Sequence, residues 1–194
     1  MTDPTLLESL NGQQYLVLRP AGPVAEFYEA EQATLKTRLP RSISHPHSGH
    51  VTLRGFNEPA RVHELRDAVA AWASQQAPIE VRVDAVDGFP TPFQILIARL
   101  HRAVTLVDAY AGLTTALDAT DFHRIGELPL EEWVFHMSLV YCGTLSESDW
   151  RTAYEKSSRH VVARPSEVIP EVEFVWYESG TEHAETMALS GRTR

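Results

Sequence analysis

An α+β fold in one domain is what this sequence predicts, on three observations. Strand-type and helix-type segments alternate along the 194 residues, but irregularly, which favours an α/β sandwich over a doubly wound parallel sheet. No low-complexity linker divides the chain. The second half also repeats the rhythm of the first. The length suits two lobes sharing a core, and 43% hydrophobic with 22% charged residues is ordinary for a folded domain. The expectation is one bilobal domain over residues 1–194 with a loose tail from about residue 180.

The elements follow in order. YLVLRP (15–20) reads as a short strand ended by Pro20. From Val24 to Leu39, Phe27, Ala30, Leu35 and Leu39 are apolar among charged positions, with Pro23 near the start and Pro40 at the stop, which predicts a helix. A loop, RSISHPHSG, leads into the strand HVTLRGF (50–56). Residues 59–76 place Val62, Leu65, Val69 and Trp72 or Ala73 on one helical face. IEVRVDAV (79–86) alternates like a half-buried strand, and FQILIARL (93–100) like a more buried one. A helix from about Ala103 to Ala119 and the strand WVFHMSLVYC (133–142) come next. A helix over 146–160 opens on Ser146 as N-cap with acidic residues in its first turn. EVEFVWYES (171–179) is a late strand.

Charge and cysteine content narrow the function. A formal net charge of −9 argues against a broad electrostatic grip on long nucleic acid, and favours RNA ends or small nucleotides over long RNA. The single cysteine, Cys142, excludes an intrachain disulfide and suits a reducing compartment. No secretory signal pattern opens the sequence, and no apolar stretch approaches membrane-spanning length, so a cytoplasmic protein without membrane or obligate protein partner is expected.

Two strands carry the same pattern: His50-Val51-Thr52-Leu53 and His136-Met137-Ser138-Leu139, each His, apolar, hydroxyl, apolar. Alternation along a strand sets His50, Thr52 and Arg54 on one face, with Val51 and Leu53 on the other. It likewise sets His136 and Ser138 on one face, with Phe135, Met137, Leu139 and Tyr141 opposite. Each strand then buries its apolar residues and presents an imidazole and a hydroxyl.

HVTLRGF and HMSLVYC resemble the paired signatures of the two-histidine (2H) phosphoesterase superfamily, which includes 2′-5′ RNA ligase-like proteins and cyclic nucleotide phosphodiesterases. The resemblance implies two pseudo-symmetric βα lobes, with mainly antiparallel sheets facing a central cleft and helices outside. Serine at 138 stands where threonine is commoner and keeps the donor. The implied activity is opening of 2′,3′-cyclic phosphates on nucleotides or RNA ends, or action on 2′-5′ linkages, with ligation as the reverse reaction. His50 and His136 are then general acid and base, in an order the sequence leaves open, since an imidazole with a pKa of about 6.5 does either near neutral pH. Thr52 and Ser138 would donate to the phosphate oxygens. No cofactor or metal is required. Arg54 is expected near the phosphate, and Trp176 and Tyr177 offer a ring for a base to stack on.

Two other classes compete. HPHSGH has the histidine spacing of a metallo-hydrolase ligand loop (His45, His47, His50), but Gly49 stands where that pattern needs an acidic residue. A protein keeping this cleft could also bind a nucleotide or phosphorylated ligand without turning it over.

Overall fold

The computed structural model describes residues 8–46 and 48–191. Their elements run β1 (Gln14–Leu18), α1 (Pro23–Arg38), β2 (Val51–Phe56), α2 (Val62–Ala73), β3 (Ile79–Phe89), β4 (Ile95–Leu100), α3 (Val104–Asp118), β5 (Arg124–Ile125), β6 (His136–Tyr141), α4 (Glu147–Ser157), β7 (Arg159–His160), β8 (Ser166–Ile169), β9 (Glu171–Glu178) and β10 (Thr181–Ala188). This is the α+β class expected. Pro23 opens α1, where its missing N–H breaks no helical bond. Ser146 caps α4 by accepting the Asp149 N–H at 3.1 Å, with Glu147 and Asp149 in the first turn.

The strands form two sheets, ordered β10-β9-β1-β2-β5 and β6-β4-β3-β7, with β8 also pairing with β3. Among the described residues every strand pairing is antiparallel. Leaving the short strands aside, the chain runs as two β-α-β-α-β units, β1-α1-β2-α2-β3 and β4-α3-β6-α4-β9. The first two strands of each unit pair with each other. The third crosses over: β3 pairs with β4, and β9 pairs with β1. Each sheet is therefore completed by a strand from the other unit, and one buried apolar cluster runs from Leu16 and Val51 to Leu96 and Met137.

Two expectations are corrected here. The segment after residue 180 is not loose. Ser179 and Gly180 both take positive φ (51° and 71°), the signature of a two-residue hairpin turn, and β10 returns along β9. Its sequence, TEHAETMA, hides a strand because only Met187 is buried within it. Residues 192–194 of that tail lie outside the described residues. The second correction concerns α1, whose buried residues are Val24, Tyr28, Glu31, Gln32 and Leu35 rather than a purely apolar set. Glu31 is held by Arg159, and Tyr28 and Gln32 have partners in the site. Among the described residues no helix is long and apolar enough to cross a membrane.

Candidate functional site

Each histidine strand contains one residue too many for its neighbour. Between β1 and β2, Val17 pairs with Thr52 but Leu16 pairs with Arg54, so Leu53 is extra. Between β4 and β6, Ile97 pairs with Ser138 but Leu96 pairs with Val140, so Leu139 is extra. Both bulges fall on the fourth residue of the repeated motif. Cross-strand partners share a face and adjacent residues of a regular strand do not, so each bulge reverses the alternation beyond it.

In β2 this turns Arg54 away from Thr52. Its side chain is fully buried and pairs with Glu127 at 2.5 Å. It also donates to Thr114 Oγ1 at 2.7 Å and Tyr110 Oη at 3.3 Å, with its guanidinium 4.4 Å from the Tyr110 ring centre. Arg54 is a core ion pair, not the phosphate contact expected of it. In β6 the bulge acts the other way. Ile95 and Ile97 share a face, so their partners Tyr141 and Ser138 do too.

The imidazoles differ in how they are held. His136 Nδ1 donates to the Val134 carbonyl at 2.7 Å, which leaves Nε2 as the nitrogen available for proton exchange. At His50 the backbone of Ser48, also two residues upstream, favours the protonated ring. Burial holds both pKa values below the ordinary imidazole range. At His50, positive charge on Arg19 and on His136 adds to that, while the Ser48 bond and Glu182 oppose it. Charge on His136 therefore reaches His50 across the site. The Phe89 ring meets His136 edge-on at 4.9 Å.

An arginine faces each histidine from the adjoining strand. Arg99 is the register partner of His136 and pairs with Asp87 at 2.7 Å. Arg19, one rung beyond the Leu18–Val51 pair, donates to Ser48 Oγ at 2.8 Å and pairs with Glu173. Arg19 takes the place at the first motif that simple alternation assigns to Arg54.

The depressed imidazoles have a consequence for stability. Unfolded histidines titrate near 6.5 and these two titrate lower, so within that window the unfolded chain binds more protons. Stability from this source is complete above 6.5 and is lost as pH falls towards the folded values. Between about pH 7 and about 5.5 the urea midpoint of the wild type should drop further than that of a His50→Gln, His136→Gln double variant. Equal drops would refute burial of neutral imidazoles.

A clasp from α1 fixes the second bulge. Bulging frees backbone carbonyls, and buried carbonyls need donors. Tyr28 Oη donates to the Ser138 carbonyl at 3.0 Å, and Gln32 Nε2 donates to the Leu139 carbonyl at 3.0 Å. The same amide reaches Tyr28 Oη at 2.9 Å and the Pro46 carbonyl at 3.1 Å. On its other side the Tyr28 ring lies 2.9 Å from where a Cβ on Gly49 would stand, so only glycine fits beside His50. Tyr28 is thereby wedged between the two motifs. Gln32→Leu, which orphans the Leu139 carbonyl, should cost about 1–3 kcal/mol in urea unfolding. A change under about 0.5 kcal/mol would mean the carbonyl finds another partner.

Register also separates the two aromatic candidates. Tyr177 pairs with Glu182, and its hydroxyl donates to Glu182 Oε2 at 3.0 Å. Glu182 in turn acts on His50, so Tyr177 lies on the histidine side. Trp176, its neighbour in a regular strand, faces the opposite way and stacks on His183 at 5.0 Å and Phe174 at 5.8 Å. It belongs to the core side. His45 sits in the loop, its Nδ1 3.2 Å from the Pro46 carbonyl. His47, which a metal reading needs, lies outside the described residues; among those described, no three His, Cys, Asp or Glu side chains gather as metal ligands.

Sequence reasoning missed Arg19, Tyr28, Gln32 and Tyr141. Arg19 alone left a usable sign: it continues the i, i+2 face of Tyr15 and Val17, opposite Leu16 and Leu18.

The family model described as the 2′-5′ RNA ligase superfamily matches residues 22–181. No curated protein sequence matches the chain. Among solved structures, TT0787 of Thermus thermophilus superposes with a TM-score of 0.68 at 16% identity, covering 93% of this chain and 100% of that one. E. coli LigT complexed with 3′-AMP gives 0.55 at 14% identity, covering 92% and 98%. Kluyveromyces marxianus Usb1 gives 0.55 at 13% identity, covering 93% and 100%. At such identities the likeness is one of fold.

Proposed function

This chain belongs to the 2′-5′ RNA ligase superfamily, and on that premise we propose that it is a phosphoesterase opening 2′,3′-cyclic phosphates on nucleotides or RNA ends. The observation that carries the reading is the matched pair of imidazoles. Each has a hydroxyl two residues on, His136 is bonded to the backbone two residues upstream, and charge on His136 is felt at His50. Opening the ring takes one proton from the attacking water and gives one to the leaving ribose oxygen. One imidazole enters neutral and the other protonated, and each leaves in the other's state. Thr52 and Ser138 donate to the non-bridging oxygens as charge builds there. Arg19 supplies the fixed positive charge. Protons and fixed donors answer both charge problems, so the chemistry asks for no metal. With the 5′-hydroxyl of a second RNA end in place of water, the same ring opening, with the 3′ oxygen leaving and taking the proton, joins RNA ends through a 2′-5′ linkage.

The partner is accordingly a nucleotide or an RNA end. LigT was crystallised with 3′-AMP, a ligand of the size this reading requires. Tyr177 is the ring available to a base. The net charge of −9 disfavours long RNA.

The test is hydrolysis of a panel of 2′,3′-cyclic nucleotides and a cyclic-phosphate-ended RNA oligomer, with and without excess EDTA. Turnover that survives EDTA is the expected result. Turnover abolished by EDTA would turn attention to His45, His47 and His50 as metal ligands. Saturable binding without turnover would identify a nucleotide-binding module instead.

A further inference from the structure

We propose that Arg82 and His101 form a second phosphate subsite, which holds the phosphate on the 5′ oxygen of the nucleotide whose cyclic phosphate is opened. This rests on the phosphoesterase reading and deepens it, because it makes an RNA end a better substrate than a free cyclic nucleoside phosphate.

The strands set the spacing. Val83 and Leu100 are register partners and both are buried, so their neighbours Arg82, Arg99 and His101 face the opposite way. His136 shares that side through its pairing with Arg99. Pairing continues past the strand ends. The His101 N–H donates to the Arg82 carbonyl at 2.8 Å, and the Leu100 N–H to the Phe135 carbonyl at 2.9 Å. Two cross-strand rows result. His136 and Arg99 occupy one; Val134, His101 and Arg82 occupy the next, about 6.8 Å along the strands. Successive phosphates of one RNA strand are a comparable distance apart. With the reacting phosphate at His136, its 5′ neighbour reaches the second row.

Donors outnumber acceptors there. Arg82 Nε is buried and, among the described residues, has no hydrogen-bond partner, and Trp133 Nε1 is in the same condition. Buried N–H groups are nearly always paired, so two orphans in one neighbourhood indicate an acceptor supplied from outside. A cavity of about 410 Å³ lies at this end of the strands, lined by Arg99, His101, Arg102 and Trp133, with Asp84 and Glu131 also on its wall. Arg102 gives its terminal nitrogens to the Leu130 and Trp133 carbonyls, each at 2.8 Å, which fixes the segment carrying Trp133. Asp84 is shared by Arg99 at 4.0 Å and Arg164 at 3.8 Å. Among the described residues no carboxylate is paired with Arg82, so its charge is the one left for a ligand.

Three probes test this: a 2′,3′-cyclic nucleoside phosphate with a free 5′-hydroxyl, its 5′-phosphorylated form, and a dinucleotide ending in the same cyclic phosphate. Wild-type kcat/KM should rise about tenfold from the first to the dinucleotide, through KM. A gain shared by the 5′-monophosphate would support a subsite that reads the phosphate alone, and a gain confined to the dinucleotide one that reads an RNA chain. A neutral methylphosphonate linkage should abolish the gain in the wild type, a control that needs no variant. In Arg82→Gln the ratio of kcat/KM for the dinucleotide to that for the free cyclic nucleoside phosphate should fall about tenfold. The dependence of log KM on log salt for the dinucleotide should flatten by about one in that variant, and Arg82→Lys should retain it. No gain from the added phosphate, or a gain that survives in the methylphosphonate, would overturn the subsite and spare the broader reading. A ratio in Arg82→Gln within about twofold of the wild type would do the same. A wild type inactive on all three probes would bring down both.

Discussion

His136→Ala should lower kcat/KM for a 2′,3′-cyclic nucleotide by about 10²–10⁴-fold, and His50→Ala should do the same. In the proposed mechanism the two imidazoles act on one proton circuit, so removing either leaves the other without its counterpart. The double variant should therefore fall little below the worse single variant, rather than by the product of the two losses. A loss under tenfold for either histidine would end the acid–base assignment, since the remaining imidazole cannot both take and give a proton in one step. The pH profile offers a second check. Burial holds both groups below the ordinary imidazole range, and the proposed mechanism needs one neutral and one protonated. The optimum of kcat/KM should lie on the acid side of about pH 6.5. A profile flat from about pH 5 to 8 would contradict it.

The second large effect concerns stability and has an instructive asymmetry. Glu127→Gln should destabilise the protein by about 3–5 kcal/mol, because it strands a charged guanidinium in the core. The Arg54 side chain has no exposure, and among buried atoms its Nε already lacks a partner. Arg54→Met should cost less. Glu127 is 26% exposed and retains Arg124 at 3.0 Å, so the carboxylate left behind is still hydrated and paired. Urea unfolding at constant m-value measures both. The reverse order would show that the pair is held chiefly by the arginine's packing on Tyr110. Neither substitution should alter kcat per folded molecule, and a selective loss of kcat in Arg54→Met would restore Arg54 to the site.

Much of this is legible in the sequence. The helices of residues 23–38, 62–73, 104–118 and 147–157 announce themselves through proline stops, apolar spacing and the Ser146 cap. His50, Thr52, His136 and Ser138 are visible because they lie before the bulges, where simple alternation still holds. Arg54 and Tyr141 lie after them, and alternation puts both on the wrong side for one shared reason. A bulge is a property of a strand and its partner, and nothing within LRGF or LVYC specifies it. Gln32 is unreadable for a related reason. A buried glutamine in a helix interrupts the apolar stripe, and its purpose appears only once the Leu139 carbonyl is seen to need a donor. β10 is hidden by its single buried side chain, although Ser179-Gly180 is a turn signal within reach.

The crossed third strands make the two halves mutually dependent for assembly. A cut in the loop between Phe89 and Ile95 would yield two fragments, each holding one histidine motif and each bearing a strand made for the other's sheet. Separately, each would expose an unpaired edge and an apolar face, the surfaces from which aggregation starts. Mixed, they could regain the fold only by reciprocal insertion, so the two imidazoles would be united by the same event that closes both edges. Evolution by tandem duplication of a freestanding half would have had to begin from a pair that exchanged strands already, as two copies of one small chain do in a swapped dimer.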